Sequence, residues 1–121
     1  MPEVKTAFAI VQVEDSKTNP NPDVLSSFGI ESVNAESDRG RFHIQFASGF
    51  FNTIPAVVVT EIYNGTNDGK LAPVTCRGYS GGSSKDNAVV ICVESKFCRI
   101  KTGDSDGDGR YRSFSIAAHG F

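Results

Sequence analysis

No apolar run in this chain approaches the ~20 residues that a membrane-spanning helix requires, so no membrane span is expected. Positive charge is also scarce. Twelve Lys and Arg stand against fourteen Asp and Glu, for a net charge of −2. A protein that grips the phosphate backbone of nucleic acid is strongly basic, and a polybasic membrane anchor needs a cluster of Lys and Arg. Neither partner is expected here. Helical periodicity is almost missing. The three cysteines, Cys76, Cys92 and Cys98, lack the spacing of a metal site. Cys92 and Cys98 stand symmetrically about an expected turn at Ser95 and could face each other across a hairpin. The simpler reading makes them buried reduced thiols that behave as small hydrophobes. His43 and His119 are the only histidines, and neither has a second His or a cysteine cluster spaced to hold zinc with it.

A secretory signal is missing from the N-terminal region as well. Ala7-Phe8-Ala9-Ile10-Val11-Gln12-Val13 is short, contains Gln12 and is closely followed by Glu14 and Asp15. A signal peptide shows a basic start, a longer apolar stretch and a small-residue cleavage site. The chain is therefore expected to be cytoplasmic when made, or to leave the cell by another route.

What is abundant is strand chemistry. β-Branched and aromatic runs bounded by Gly, Pro, Asn and Asp give strand candidates at about 7–13, 28–35, 41–47, 56–63, 73–79, 87–94, 97–102 and 111–118. Asp23–Ser27, after Pro20 and Pro22, reads as one helical turn. Phe42, Ile44 and Phe46 alternate with Arg41, His43 and Gln45, which makes His43 a solvated residue on a polar face. Phe114, Ile116 and Ala118 alternate with Ser113, Ser115 and Ala117. That two-residue period belongs to half-buried antiparallel strands. Ala56–Thr60 and Ala88–Val93 are almost wholly apolar and predict strands buried on both sides, in a sandwich or at a subunit interface. Asp38-Arg39-Gly40, Asn64-Gly65, Asp68-Gly69 and Ser80-Gly81-Gly82 supply the turns. Short strands at this spacing predict an all-β fold, an antiparallel sandwich of about eight strands or a jelly roll. With 121 residues and no linker, repeat or low-complexity tract, residues 1–121 are read as a single domain.

The densest chemical signal is Lys101-Thr102-Gly103-Asp104-Ser105-Asp106-Gly107-Asp108-Gly109-Arg110-Tyr111. Asp104, Asp106, Asp108 and Gly109 match positions 1, 3, 5 and 6 of an EF-hand loop, and alternate carboxylates on a tight turn suit a hard cation such as calcium. The twelfth position, where a bidentate Glu belongs, is Ser115, and both flanks read as strands. An EF-hand is therefore rejected. A calcium loop of another kind, completed by carbonyls or a neighbouring loop, and a metal-free turn both stay open. Arg110 and Arg112 flank Tyr111 beside the loop, and an aromatic next to charged donors and acceptors is chemistry that sugars favour.

Weaker signals lie elsewhere. Gly78-Tyr79-Ser80-Gly81-Gly82 fits G-x-S-x-G, with Asp86 and His119 following in the order of a hydrolase triad. The nucleophile elbow requires a helix after the Ser, and a polar stretch leading to a strand follows here. Asn64-Gly65-Thr66 fits an N-glycosylation acceptor but reads better as a turn. Phe50 and Phe51 are adjacent and point to opposite faces of a strand, so one is expected to be exposed or to cap the core.

The order of signals resembles a known family. Phe42-His43-Ile44-Gln45-Phe46-Ala47-Ser48-Gly49-Phe50 leads into Ile54-Pro55-Ala56-Val57-Val58-Val59. Downstream, Asp86–Val90 leads through Cys98–Asp104 to Phe114-Ser115-Ile116-Ala117-Ala118-His119-Gly120. This is similar to H-type lectin domains and to related β-sandwich modules at phage tail-fibre tips, over about residues 41–120. The resemblance implies an antiparallel sandwich that assembles as trimers or larger rings and binds sugars at loops near subunit boundaries. It places the acidic loop where a sugar-contact loop lies, with Tyr111 as the aromatic on its far side. The chain departs from the family in having no Trp, with Ile116 at the usual Trp position, Cys98 at the place of a Phe, and no match to the sugar-contacting Arg before Glu94. Residues 1–40 fall outside the resemblance and are expected to add N-terminal strands.

Together these readings describe a non-enzymatic, oligomeric, lectin-like domain that binds glycans through loops at one end. Asp104, Arg110 and Tyr111 are the ligand candidates. Asp104 accepts hydrogen bonds from hydroxyls and Tyr111 stacks. Asp104, Asp106 and Asp108 are the possible calcium ligands, with no cofactor required. A trimerising or host-attachment module without sugar binding is the alternative, and a small hydrolase using Ser80 the weaker one.

Overall fold

The computed structural model describes residues 3–16, 18–62 and 88–121. It is all-β, with strands β1 (Lys5–Gln12), β2 (Asp23–Phe28), β3 (Ile30–Ala35), β4 (Arg41–Phe46), β5 (Ala56–Ile62), β6 (Ala88–Val93), β7 (Phe97–Thr102) and β8 (Ser113–Gly120). Two four-stranded sheets form, in the orders β2-β1-β8-β5 and β3-β4-β7-β6, with every pairing antiparallel. The expected antiparallel β-sandwich is thus the fold. The strand expected at 73–79 lies outside the described residues.

Alternation builds the core. Phe42, Ile44 and Phe46 on β4, Cys98 and Ile100 on β7, Ala7, Ala9 and Val11 on β1, and Phe114, Ile116 and Ala118 on β8 are buried between the sheets. These inward positions follow the period of two because each pleat turns successive side chains to opposite faces. Opposite them, His43 stays on the outer face of β4, stacked on Phe97 at 4.8 Å between ring centroids. Phe51 caps the core, packed edge-on against Phe46 and Phe50.

β1 is not an accessory strand. It lies in the middle of the first sheet, paired on one side with β2 and on the other with β8, from Lys5↔Gly120 to Val11↔Phe114.

The expected helical turn at 23–27 is instead strand β2, paired with β1 from Phe8↔Phe28 to Gln12↔Asp23. Five residues form little more than one helical turn, which is unfavourable to nucleate, whereas the open edge of β1 offers these residues ladder hydrogen bonds. Gly29, at φ 73°, then turns the chain from the first sheet into the second. That left-handed corner is open to glycine at little steric cost, and it divides what reads in sequence as one strand over 28–35.

β5 and β6 also differ from expectation. Each is the outermost strand of its sheet among the described residues. Val57, Val59, Val90 and Val93 pack on the core, while Val58, Val89 and Ile91 face outward and are exposed. Their apolar runs are buried on one side only.

The two cysteines in the described residues are free thiols. Cys98 pairs across the ladder with Val93 and points into the core, while Cys92 pairs with Arg99. The hairpin therefore does not set the two sulfurs opposite each other. Burial pushes the Cys98 thiol up to about 12. Cys76 lies outside the described residues.

Candidate functional site

The acidic loop closes on itself. The ends of β7 and the following segment meet through an antiparallel bridge between Gly103 and Gly109. Inside it, Gly107 N–H donates to the Asp104 carbonyl at 3.0 Å, and Asp104 N–H to the Asp108 carbonyl at 3.0 Å. The Asp104 carboxylate completes the turn, because its Oδ1 accepts from the backbone N–H groups of Asp106 and Asp108, both at 3.0 Å. This is why Asp belongs at that position: a short carboxylate can cap N–H groups two and four residues ahead.

The loop is pressed against the rest of the fold. A Cβ on Gly109 would stand 2.1 Å from the Arg39 carbonyl oxygen, so no larger residue fits without moving backbone. Gly103 N–H donates to Glu61 Oε1 at 3.0 Å. Thr102 is fully buried; its hydroxyl donates to the Arg110 carbonyl at 2.5 Å and accepts from Arg112 N–H at 3.1 Å.

Arg110 supplies the positive charge of the loop. Its Nε lies 3.4 Å from Asp104 Oδ2 and its guanidinium 3.9 Å from Asp108 Oδ2. Oxygens of Asp104, Asp106 and Asp108 lie within 4.8 Å of one another, close enough to share one cation. Calcium would need to draw these carboxylates away from Arg110 and find further oxygens to reach its usual coordination of six to eight.

Two sequence-based roles change at this point. Asp104 is only 17% exposed, and its carboxylate serves the loop's own N–H groups and Arg110. Its main role in the structure is to organise the loop. Tyr111 is 1% exposed and cannot stack on a sugar. Its ring packs edge-on against Phe42 with centroids 5.6 Å apart, and its hydroxyl donates to the Glu36 carbonyl. Burial raises its phenol above the usual tyrosine range. The exposed functional groups of the loop are the Ser105 hydroxyl, the Asp106 and Asp108 carboxylates and part of Arg110.

Beneath the loop lies a polar network with no signal in the sequence. The Asp15 carboxylate is 4% exposed. It accepts from Arg39 Nε at 3.1 Å, from Arg39 Nη2, and from Tyr111 N–H at 2.9 Å. Nearby, Arg99 grips Glu36 with two hydrogen bonds of 2.7 and 2.5 Å. Its hydrogen bonds hold the Glu36 carboxyl below the usual carboxylate range. These pairs tie the segment after β1 and the turn before β4 to the base of the acidic loop.

Of the hydrolase pattern, only His119 lies within the described residues. His119 Nδ1 lies 3.0 Å from the Thr6 hydroxyl on the outer face of the first sheet, and Ser80 and Asp86 fall outside the described residues, as does Asn64.

No family model, curated protein or solved structure matches this chain.

Proposed function

We propose that this protein is a non-enzymatic carbohydrate-binding domain, as its resemblance to H-type lectins implies, that recognises glycans with loops at the end of its sandwich. The observation that carries this reading is the acidic loop. It is held by backbone bridging, by Asp104 and by Arg110, and it presents the Asp106 and Asp108 carboxylates to solvent. Exposed carboxylates on a pre-shaped turn accept paired hydrogen bonds from vicinal sugar hydroxyls, and Arg110 donates beside them. Little loop ordering is then needed on binding, which favours recognition of small polar ligands. Calcium, if used, would bridge the same carboxylates to sugar hydroxyls. A glycan array with calcium and with chelator tests the proposal, with Asp106→Asn/Asp108→Asn as the control. Selective binding lost in the double variant is expected; a flat array in both conditions overturns the reading.

A second reading, self-association as a trimerising or host-attachment module, has its own support. On the outer face of the first sheet, Phe28, Phe8, Ala117 and Val58 pair in register across all four strands. Phe28 and Val58 are 59% and 61% exposed. Such a row is apolar enough to favour contact with another surface. Sedimentation velocity decides this reading: a trimer or larger ring supports it, and a monomer at all concentrations removes it.

A further inference from the structure

At the far end of the second sheet from the acidic loop lies a cavity of about 330 Å³, lined in part by Glu31, Gln45, Ser48, Phe51, Ser95 and Lys96. Three separate turns of the chain build it. The register of β3 on β4 slips between Ile30 and Ser32, so Glu31 is the extra residue of a bulge. A bulge bends its strand and re-aims a side chain. Ser48 sits in the turn closed by Phe50 N–H donating to the Ala47 carbonyl at 3.0 Å, and Ser95 and Lys96 form the tip of the β6–β7 hairpin, closed by Glu94 N–H on the Phe97 carbonyl at 2.8 Å. Gln45 reaches the cavity from the outward face of β4, across from Ser32 and Phe97.

The side chains of Glu31, Gln45, Ser48, Ser95 and Lys96 make no hydrogen bond or ion pair with any described residue. A carboxylate, an amide, two hydroxyls and an ammonium thus converge on one concavity with no side-chain partner among the described residues. Three other pairs of charged groups beside the sheets are matched within the fold: Asp15–Arg39, Glu36–Arg99 and Asp104–Arg110. Glu31 and Lys96 bring opposite charges, so the cavity as a whole selects neither anion nor cation. It favours a neutral ligand whose groups both donate and accept. Hydroxyls do this: one can donate to Glu31 while its neighbour accepts from Lys96. Ala47 and the edge of Phe51 supply an apolar wall for ring C–H groups. The volume is at the small end of ligand clefts, roughly 300–1,000 Å³, which suits a ligand of one or two sugar rings.

Resting on the carbohydrate-binding reading above, we propose that this cavity is a second saccharide site, one that takes a neutral sugar ring, at the opposite end of the sandwich from the acidic loop. Glu31, Gln45 and Lys96 are its principal hydrogen-bonding groups.

Amide chemical-shift titration of the full chain tests it, with N-acetylgalactosamine, N-acetylglucosamine, galactose, glucose and mannose as separate probes. Saturable shifts at Glu31, Gln45, Ser48, Gly49, Ser95 and Lys96 are expected with at least one sugar. Glu31→Gln and Lys96→Ala should each weaken that binding about tenfold, as loss of a hydrogen bond to a charged group does. Both side chains are exposed, so unchanged melting temperatures should accompany the loss. Shifts confined to residues 104–110, or binding indifferent to both substitutions, would overturn the cavity site while leaving the carbohydrate reading intact. No saturable shift with any probe, together with a flat glycan array, would overturn both.

Discussion

Replacing Asp15 by alanine should destabilise this fold by about 3–5 kcal/mol. The carboxylate is nearly inaccessible and accepts three hydrogen bonds, two from Arg39 and one from the backbone N–H of Tyr111. Removing one partner of a buried ion pair costs about 3–5 kcal/mol when the remaining charge is trapped. Arg39 is 34% exposed, so water recovers part of its solvation, and the ion-pair loss alone falls at or below about 3 kcal/mol. The Tyr111 N–H then lacks its acceptor, which adds about 1–3 kcal/mol. Asp15→Asn keeps the shape and one acceptor and should cost about half as much. For a domain of this length each kcal/mol lowers Tm by roughly 3–5 °C, so Asp15→Ala should melt more than about 10 °C below the parent. Urea unfolding of Asp15→Ala, Arg39→Ala and the double variant gives the coupling energy directly. A loss under about 1 kcal/mol in Asp15→Ala, or a coupling near zero, refutes the view that this network anchors the base of the acidic loop.

Gly109→Ala forces a methyl to within 2.1 Å of the Arg39 carbonyl and should cost roughly 2 kcal/mol or more through backbone displacement, whereas Asp106→Asn and Asp108→Asn, on exposed side chains, should leave chemical unfolding unchanged. The Glu36 carboxyl is lowered by Arg99 from a reference value of 4.5. Its contribution is therefore complete above that value and is lost as pH falls through the lower folded-state value; acid titration of stability should show a component that disappears in Glu36→Gln. The Cys98 thiol has the opposite sense. Raised from 9.0 to about 12, it leaves stability intact below pH 9 and withdraws it as pH climbs from 9 towards 12, because the unfolded chain ionises first. Cys98→Ala should flatten that alkaline limb in equilibrium unfolding, and an unchanged limb would rule out the thiol as its source.

The strands that were legible in sequence are those whose burial alternates. β4 carries a large apolar side chain at every second position and β8 an apolar one at 114, 116 and 118, and that period is set by the pleat alone. β2 was not legible because all six of its residues are exposed; only the neighbouring edge of β1 makes it a strand. The acidic loop could be located from its Asp and Gly spacing, but the roles within it could not. Tyr111 stands between two arginines and reads as a rim residue, yet its hydroxyl finds an acceptor 75 positions earlier in the chain. Asp15–Arg39 and Glu36–Arg99 join residues 24 and 63 positions apart, and no local pattern announces such pairs. The cavity at the other end depends on a one-residue slip of register at Glu31, which leaves no trace in composition or period.

The pairing of β1 with β8 also governs how the chain can fold. Lys5 meets Gly120 and Val11 meets Phe114, so the central ladder of the first sheet joins segments separated by almost the whole sequence. Local hairpins such as β6–β7 can form early, since their loops are short to close. The first sheet cannot close until β8 is available, and during synthesis the edge of β1 that pairs with β8 must wait unpaired until β8 has been made. Refolding is expected in the millisecond-to-second range of β proteins rich in non-local contacts. A circular permutant that joins residue 121 to residue 3 by a short linker and opens the chain between β5 and β6, which do not pair with each other, would turn that slow long-range closure into a local one. It should fold markedly faster to the same sandwich.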